Sequence, residues 1–310
     1  MLGVARKVIL DMDPGTDDAL ALLLALSSPE LELLGVTTVA GNTSLENTSI
    51  NARRVLEHVG RGEVPVYRGA SGPLARALVT AEHVHGSDGL GGVGLSAPRE
   101  APREGAVEFI AGKVYEDPGE VVLIATGPLT NLALLFARYP DVPRLLGELI
   151  IMGGAYFQTH YGRGNVTPIA EFNIYNDPEA AQMVINPSVR PHCVGLDVTM
   201  NPAGWLGSSE VEKLSRSGSV EARLAARLVQ YHVERAGHME VHDVVAVAAA
   251  VDSSMFEWKE MVVEVLTCGE VARGVTAPRR PRSAEAPNAV VCVDADWEWF
   301  KGMLLERLMG

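Results

Sequence analysis

Apolar residues in this chain fall into two kinds of segment that alternate along most of its length. Short runs bounded by turn residues, at Lys7 to Leu10, Leu34 to Val39, Val64 to Tyr67, Val121 to Ala125, Leu149 to Gly154, Val194 to Val198 and Val290 to Val293, read as buried strands. Between them, Ala19 to Leu26, Ser49 to Val59, Leu224 to Gly237, Val244 to Val251 and Trp297 to Leu308 carry the unbroken or helically spaced apolar positions of packed helices. That alternation predicts an α/β fold, a single domain over residues 1–310 with a mostly parallel central sheet flanked by helices. In such a sheet ligands collect beyond the carboxyl ends of the strands, and the site is expected there.

Composition narrows the partners. The chain has 47% hydrophobic residues, enough for a sizeable core, and its 39 acidic against 26 basic residues leave a net charge of −13. That balance argues against nucleic acid and anionic membrane as partners and leaves small neutral substrates. No apolar run approaches the ~20 residues of a membrane span. No leader-like apolar stretch precedes the first strand, so the expected location is cytoplasmic. Cys193, Cys268 and Cys292 have no paired spacing and read as buried small hydrophobes.

One polar stretch changes the picture. Directly after the first strand, Asp11, Asp13, Asp17 and Asp18 place four carboxylates within eight residues, around the turn residues Pro14 and Gly15. Helix capping and the helix dipole account for one or two acids at a helix start, not four. An all-oxygen, carboxylate-rich set is what a hard divalent cation such as Ca²⁺ or Mg²⁺ selects.

The stretch Asp11-Met12-Asp13-Pro14-Gly15-Thr16-Asp17-Asp18 resembles the Asp-x-Asp-Pro-Gly-x-Asp-Asp signature of the inosine-uridine-preferring nucleoside hydrolases, calcium-dependent N-ribohydrolases. Further stretches match that family in turn. Asn42 after Gly41 sits where the family has a ribose-binding Asn, and His85 falls in a segment similar to its His-Gly-x-x-Gly-Leu motif. Thr126 stands where a main-chain oxygen reaches calcium. Asn165, Glu171 and Asn173 match Gly-Asn-x-Thr-x-x-Ala-Glu-Phe-Asn, and His242-Asp243 matches the His-Asp pair. The resemblance implies Ca²⁺ held by Asp13, Asp18, Asp243 and the Thr126 carbonyl. It also implies ribose contacts from Asp17, Asn42, Asn165, Glu171, Asn173 and Asp243. A ribonucleoside substrate and a homodimer or homotetramer follow from the same comparison.

Local patterns add expectations of their own. His83-x-His85 on an extended segment would put both rings on one face, but no further ligand lies at zinc spacing. Glu171 and Asn173, flanking Phe172 in an extended segment, would share a face and bond vicinal hydroxyls. Asp177 before Pro178 reads as a helix cap, as does Asp243 before its apolar helix. The Leu224 to Gly237 helix, with Tyr231 and His232 near its end, reads as a lid carrying Tyr231 as a candidate substrate contact, with half-buried core as the alternative for that ring. The basic run Ala277 to Arg282 reads as a solvated loop. Residues 155–164 are longer than the family's usual connection.

Cleaving an N-glycosidic bond passes through an oxocarbenium-like ribosyl cation. The expected parts are a calcium-held water, Asp13 as its general base and His242 as the acid for the leaving base, with His85 in the base pocket. Asp11 is expected behind the site, orienting the loop. Two other classes are compatible with parts of the pattern. A haloacid-dehalogenase-like phosphohydrolase would use Asp11 as nucleophile with Mg²⁺ but leaves Asp17, Asp18 and the Glu171 segment unused. A non-catalytic sugar- or calcium-binding module would need no acid.

Overall fold

The computed structural model describes residues 4–310. Its ten described strands form one sheet: β1 (Arg6–Met12), β2 (Leu31–Thr38), β3 (Val66–Arg68), β4 (Arg103–Glu104), β5 (Val121–Ala125), β6 (Glu148–Met152), β7 (His192–Val194), β8 (Phe256–Val265), β9 (Thr276–Arg279) and β10 (Ala289–Ala295). The order across the sheet is β4-β3-β2-β1-β5-β6-β7-β10-β8-β9. All neighbours are parallel except β10 with β8 and β8 with β9. The expected mostly parallel sheet is therefore present, with an antiparallel hairpin at one edge.

Side chains alternate across β1, which is why it serves two cores. Val8, Leu10 and Met12 enter one apolar cluster with the helices Thr16–Ser27, Val220–Ala236, His242–Val251 and Trp297–Met309. Ile9 enters the other, on the opposite face, with Ile110, Leu132 and Val184. The helix Thr16–Ser27 is buried all round from Thr16 to Ala25, as its unbroken Ala/Leu run requires. Truncating one of its fully buried leucines to alanine costs ~2–5 kcal/mol.

Several local expectations change. Only His192–Val194 is strand, and Leu196–Thr199 turns into a helix, since Gly195 opens that helix and its first residues carry Asp197 into the interior. Ala277 to Arg279 belong to β9, with Arg279 paired to Glu285, so the basic run is only partly loop. Cys193 and Cys292 are buried, but Cys268 is exposed. Asp177 caps its helix as expected, accepting from the Ala180 N–H at 3.0 Å. Asp243 does not cap: Val241 is the cap residue, and Asp243 is the second residue of His242–Val251.

Because β2, β1, β5 and β6 run the same way side by side, their carboxyl ends lie along one edge. The segments leaving them carry Asn42, Asp13, Thr126 and, further on, Asn165 and Glu171. Among the described residues no helix is long and apolar enough to cross a membrane.

Candidate active site

A cavity of about 310 Å³ opens at that edge. Asp17, Asn42, His85, Thr126, Asn165, Glu171, Asn173, His242 and Asp243 line it, bringing together residues from across the chain. Asp13 and Asp18 lie behind its wall, at 1% and 0% exposure. Asp11, inside β1 and on the Ile9 face, accepts from Asn131 Nδ2 at 2.8 Å and from the Thr37 hydroxyl, and burial pushes its carboxyl up to about 6.

The carboxylates are held by main-chain, amide and hydroxyl donors. Asp13 Oδ2 accepts from the Asn42 N–H at 2.6 Å, and Asp18 Oδ2 accepts from the Gly15 N–H at 2.9 Å and from Asn42 Nδ2 at 3.0 Å. Thr126 Oγ1 donates to Asp18 Oδ1 at 2.8 Å. Glycine at 41 and 127 makes room for Asp13: a Cβ at Gly41 would stand 2.0 Å from its Oδ2, and one at Gly127 2.7 Å from its Oδ1.

Asp17, Asp18 and Asp243 each bring a carboxylate oxygen within 4.8 Å of the others. Asp13 Oδ1 and Asp17 Oδ1 are buried without a hydrogen-bond partner among the described residues. No described lysine or arginine pairs with these four acids, and the nearest ring, His85, has Nδ1 3.8 Å from Asp17 Oδ1. Burial and mutual repulsion push Asp18 up to about 7 and raise Asp13 and Asp243 well above the usual carboxylate range. Orphaned oxygens in a dry, all-carboxylate set fit a hard divalent cation. The converging trio contains Asp17 where Asp13 was expected. One oxygen of Asp13 is taken by Asn42, and the Thr126 carbonyl accepts from Asn173 Nδ2 at 2.7 Å.

Glu171 and Asn173 do not share an extended segment. Glu171 caps the helix Phe172–Asn176, its oxygens accepting from the N–H groups of Asn173 (2.8 Å), Gly154 (2.9 Å) and Ile174 (3.1 Å). Asn173 donates to the Thr126 and Met152 carbonyls, which leaves its Oδ1 as the acceptor toward a ligand. Likewise His83-x-His85 is a helical turn, Glu82–His85, with His83 exposed and His85 buried, so the two rings do not share a face. The long segment after β6 is pinned by Asp197, which accepts from the N–H groups of Tyr156, Gln158 and Thr159.

The two histidines of the expected site are held differently. Burial lowers His85 to about 4, so it is neutral at pH 7. Burial also works against the charged form of His242, but a hydrogen bond from its Nε2 to Glu240 (3.2 Å), with the charges of Glu240, Asp17 and Glu171, outweighs it and raises the ring above the usual histidine range. Its Nδ1 is 2.7 Å from Thr199 Oγ1.

Residues 8–302 match the model of the inosine-uridine preferring nucleoside hydrolases. Over 98% of this chain and 99% of the relative, the sequence is 38% identical to a pyrimidine-specific ribonucleoside hydrolase, RihA, of Salmonella arizonae. The chain belongs to the inosine-uridine preferring nucleoside hydrolase family. Solved structures agree: a plant nucleoside hydrolase, PpNRh1, superposes with a TM-score of 0.89 at 34% identity, covering 98% of this chain and 99% of that one. A purine-preferring ribonucleoside hydrolase from Gardnerella vaginalis superposes at 0.90 with 30% identity, covering 98% of each.

As a nucleoside hydrolase the chain acts on the N-glycosidic bond of ribonucleosides, and the phosphohydrolase and binding-module alternatives drop out. Within this hydrolase's cavity stand polar residues that the sequence reading did not select, Thr16, His232, His238 and Glu240 among them. Tyr231 is not among them: its ring packs on Gly91 and under the Arg235 guanidinium, 3.6 Å from the ring centre, in a separate groove. Neighbouring helical residues point about 100° apart, so a lid helix that turns His232 inward turns Tyr231 away. A polar residue one step along the same helix was the available signal.

Proposed function

We propose that this hydrolase cleaves its ribonucleoside with a divalent cation, Ca²⁺ by the oxygen-only donors, held by Asp17, Asp18 and Asp243 with Asp13 and the Thr126 carbonyl beside them. When bound, the cation offsets the repulsion among these carboxylates and acidifies water. Asp13, with one oxygen buried and unpartnered, accepts the proton from the attacking water. Asn42, Asn165, Glu171, Asn173, Asp17 and Asp243 grip the ribose hydroxyls. The negative field of this wall favours the ribosyl cation over the neutral substrate. Water gives its hydroxyl to the anomeric carbon, and the base leaves with a proton from His242, whose protonated form Glu240 favours.

The observation that carries this reading is one cavity with a converging carboxylate cluster, two of whose buried oxygens have no partner among the described residues, and a histidine biased toward protonation. Ribose release from uridine, cytidine, inosine and adenosine, measured after exhaustive chelation and after Ca²⁺ is restored, tests it. Activity should vanish and return with the metal; full activity in the stripped protein would overturn the proposal. The same panel reads base preference, on which the relatives differ, one being pyrimidine-specific and another purine-preferring.

A further inference from the structure

Thr16 joins two histidines of the cavity. Its Oγ1 lies 2.9 Å from His85 Nδ1 and 2.7 Å from His232 Nε2, and its main-chain N–H donates to the same His85 Nδ1 at 3.2 Å. A main-chain N–H can only donate, so Nδ1 of His85 is an acceptor and the proton of this neutral ring is on Nε2. With Nδ1 an acceptor, the Thr16 hydroxyl donates to it. That hydroxyl then has only a lone pair to offer His232, whose Nε2 must carry the hydrogen. In neutral His232 the other nitrogen, Nδ1, is left as an acceptor, and burial lowers this ring below the usual histidine range. The two nitrogens at the far ends of the relay, His85 Nε2 and His232 Nδ1, have no hydrogen-bond partner among the described residues and are solvent-accessible, and both rings line the cavity with centroids 6.3 Å apart.

We propose that His85 and His232, both set in the Nε2–H tautomer by Thr16 but turning opposite ring nitrogens to the cavity, read the base: His85 Nε2–H donates to an acceptor on it and His232 Nδ1 accepts from an adjacent N–H. Resting on the ribonucleoside reading above, this assigns the preferred substrates to bases whose outer edge carries a carbonyl or ring-nitrogen acceptor beside an N–H donor. His232 is then a specificity-determining residue and Thr16 a positioning residue acting through it.

Blocking the donor with a methyl group tests this without altering the sugar or the glycosidic bond. The wild-type enzyme should prefer uridine to 3-methyluridine, and inosine to 1-methylinosine, by roughly a hundredfold in kcat/KM for whichever pair it hydrolyses. His232→Leu should lower the unmethylated substrate most and compress that ratio to within about threefold, since its partner for the N–H is gone. His232→Gln should restore the ratio, because its amide nitrogen can donate to Thr16 while its oxygen accepts from the base. Thr16→Val should compress the ratio partly and Thr16→Ser keep it. A merely structural role for His232 would lower both members of each pair alike. That result, or a wild-type enzyme indifferent to the methyl group, overturns the proposal. Ring ¹⁵N shifts of the two histidines give a second readout that needs no turnover: protonated Nε2 and unprotonated Nδ1 on both are expected. A protonated Nδ1 on His232 overturns the assignment whether or not the enzyme hydrolyses nucleosides, whereas absence of turnover with the expected shifts would count against the hydrolase reading alone.

Discussion

Two walls of one cavity are charged in opposite ways. On one, Asp13, Asp17, Asp18 and Asp243 crowd together with no lysine or arginine among the described residues to pair with them; on the other, His242 is half-buried beside Glu240, which favours its protonated form. Burial disfavours ions on both walls. What differs is the neighbour: like charges push the carboxylates toward protonation, while an opposite charge holds the imidazolium. The carboxylate wall is thus incomplete as built and calls for a cation from outside, whereas the histidine wall carries its own counter-ion.

The sharpest way to break this comparison is to remove one wall at a time and vary the leaving group. Asp13→Asn or Asp18→Asn should cost at least ~10³-fold in kcat/KM on both uridine and p-nitrophenyl riboside, since activating water and stabilising the ribosyl cation serve either substrate. Next in size, His242→Ala should cost ~10²-fold on uridine and little on p-nitrophenyl riboside, whose phenolate leaves without protonation. Glu240→Gln belongs to the same test. Without its counter-ion His242 loses its proton at lower pH, so the alkaline fall in uridine hydrolysis should begin earlier than in the wild type. Equal losses on both substrates from His242→Ala would assign that wall to structure instead.

The smallest expected effect is on stability, and its sign follows from the same repulsion. Asp13, Asp18 and Asp243 bind protons more tightly folded than unfolded, where carboxyls titrate near ~4, so between those values the folded state holds more protons. Stability therefore falls as pH rises through about 7, the value for Asp18. The melting temperature of chelated protein should drop by a few degrees from about pH 5 to pH 8, and saturating Ca²⁺ should flatten that slope. A melting temperature that rises with pH in the chelated protein would contradict the repulsion.

Much of this arrangement was legible in the sequence, and the parts that were not share a cause. Val121–Ala125 is a strand to the residue, and Asp177 caps before Pro178, because a buried strand and a capped helix start are local events. Nine of the residues that line the cavity were likewise found by motif. Their conformations were not: Glu171 looks extended until its oxygens meet the N–H groups of Gly154, Asn173 and Ile174, and the His83-to-His85 turn is anchored by a bond from the Ala81 N–H to the Asn42 carbonyl. Such segments take their shape from partners distant in sequence. His232, His238 and Glu240 were missed because which face of the lid helix looks inward, and how the strap after Gly237 returns, are set by tertiary packing: Met239 pairs with Leu206, and His238 stacks on Trp205 at 3.9 Å.

Gly41 and Gly127 matter for how this enzyme could be altered by selection. Neither needs a left-handed backbone, so on conformation alone alanine would be acceptable at both; it is the oxygens of Asp13 that already occupy the space. In a saturation library these two positions should therefore be nearly empty of survivors, and the few that persist should carry a compensating change near Asp13. Depletion there, at residues with no side chain to do chemistry, would chart the outline of the buried carboxylate as a cast charts the object that shaped it.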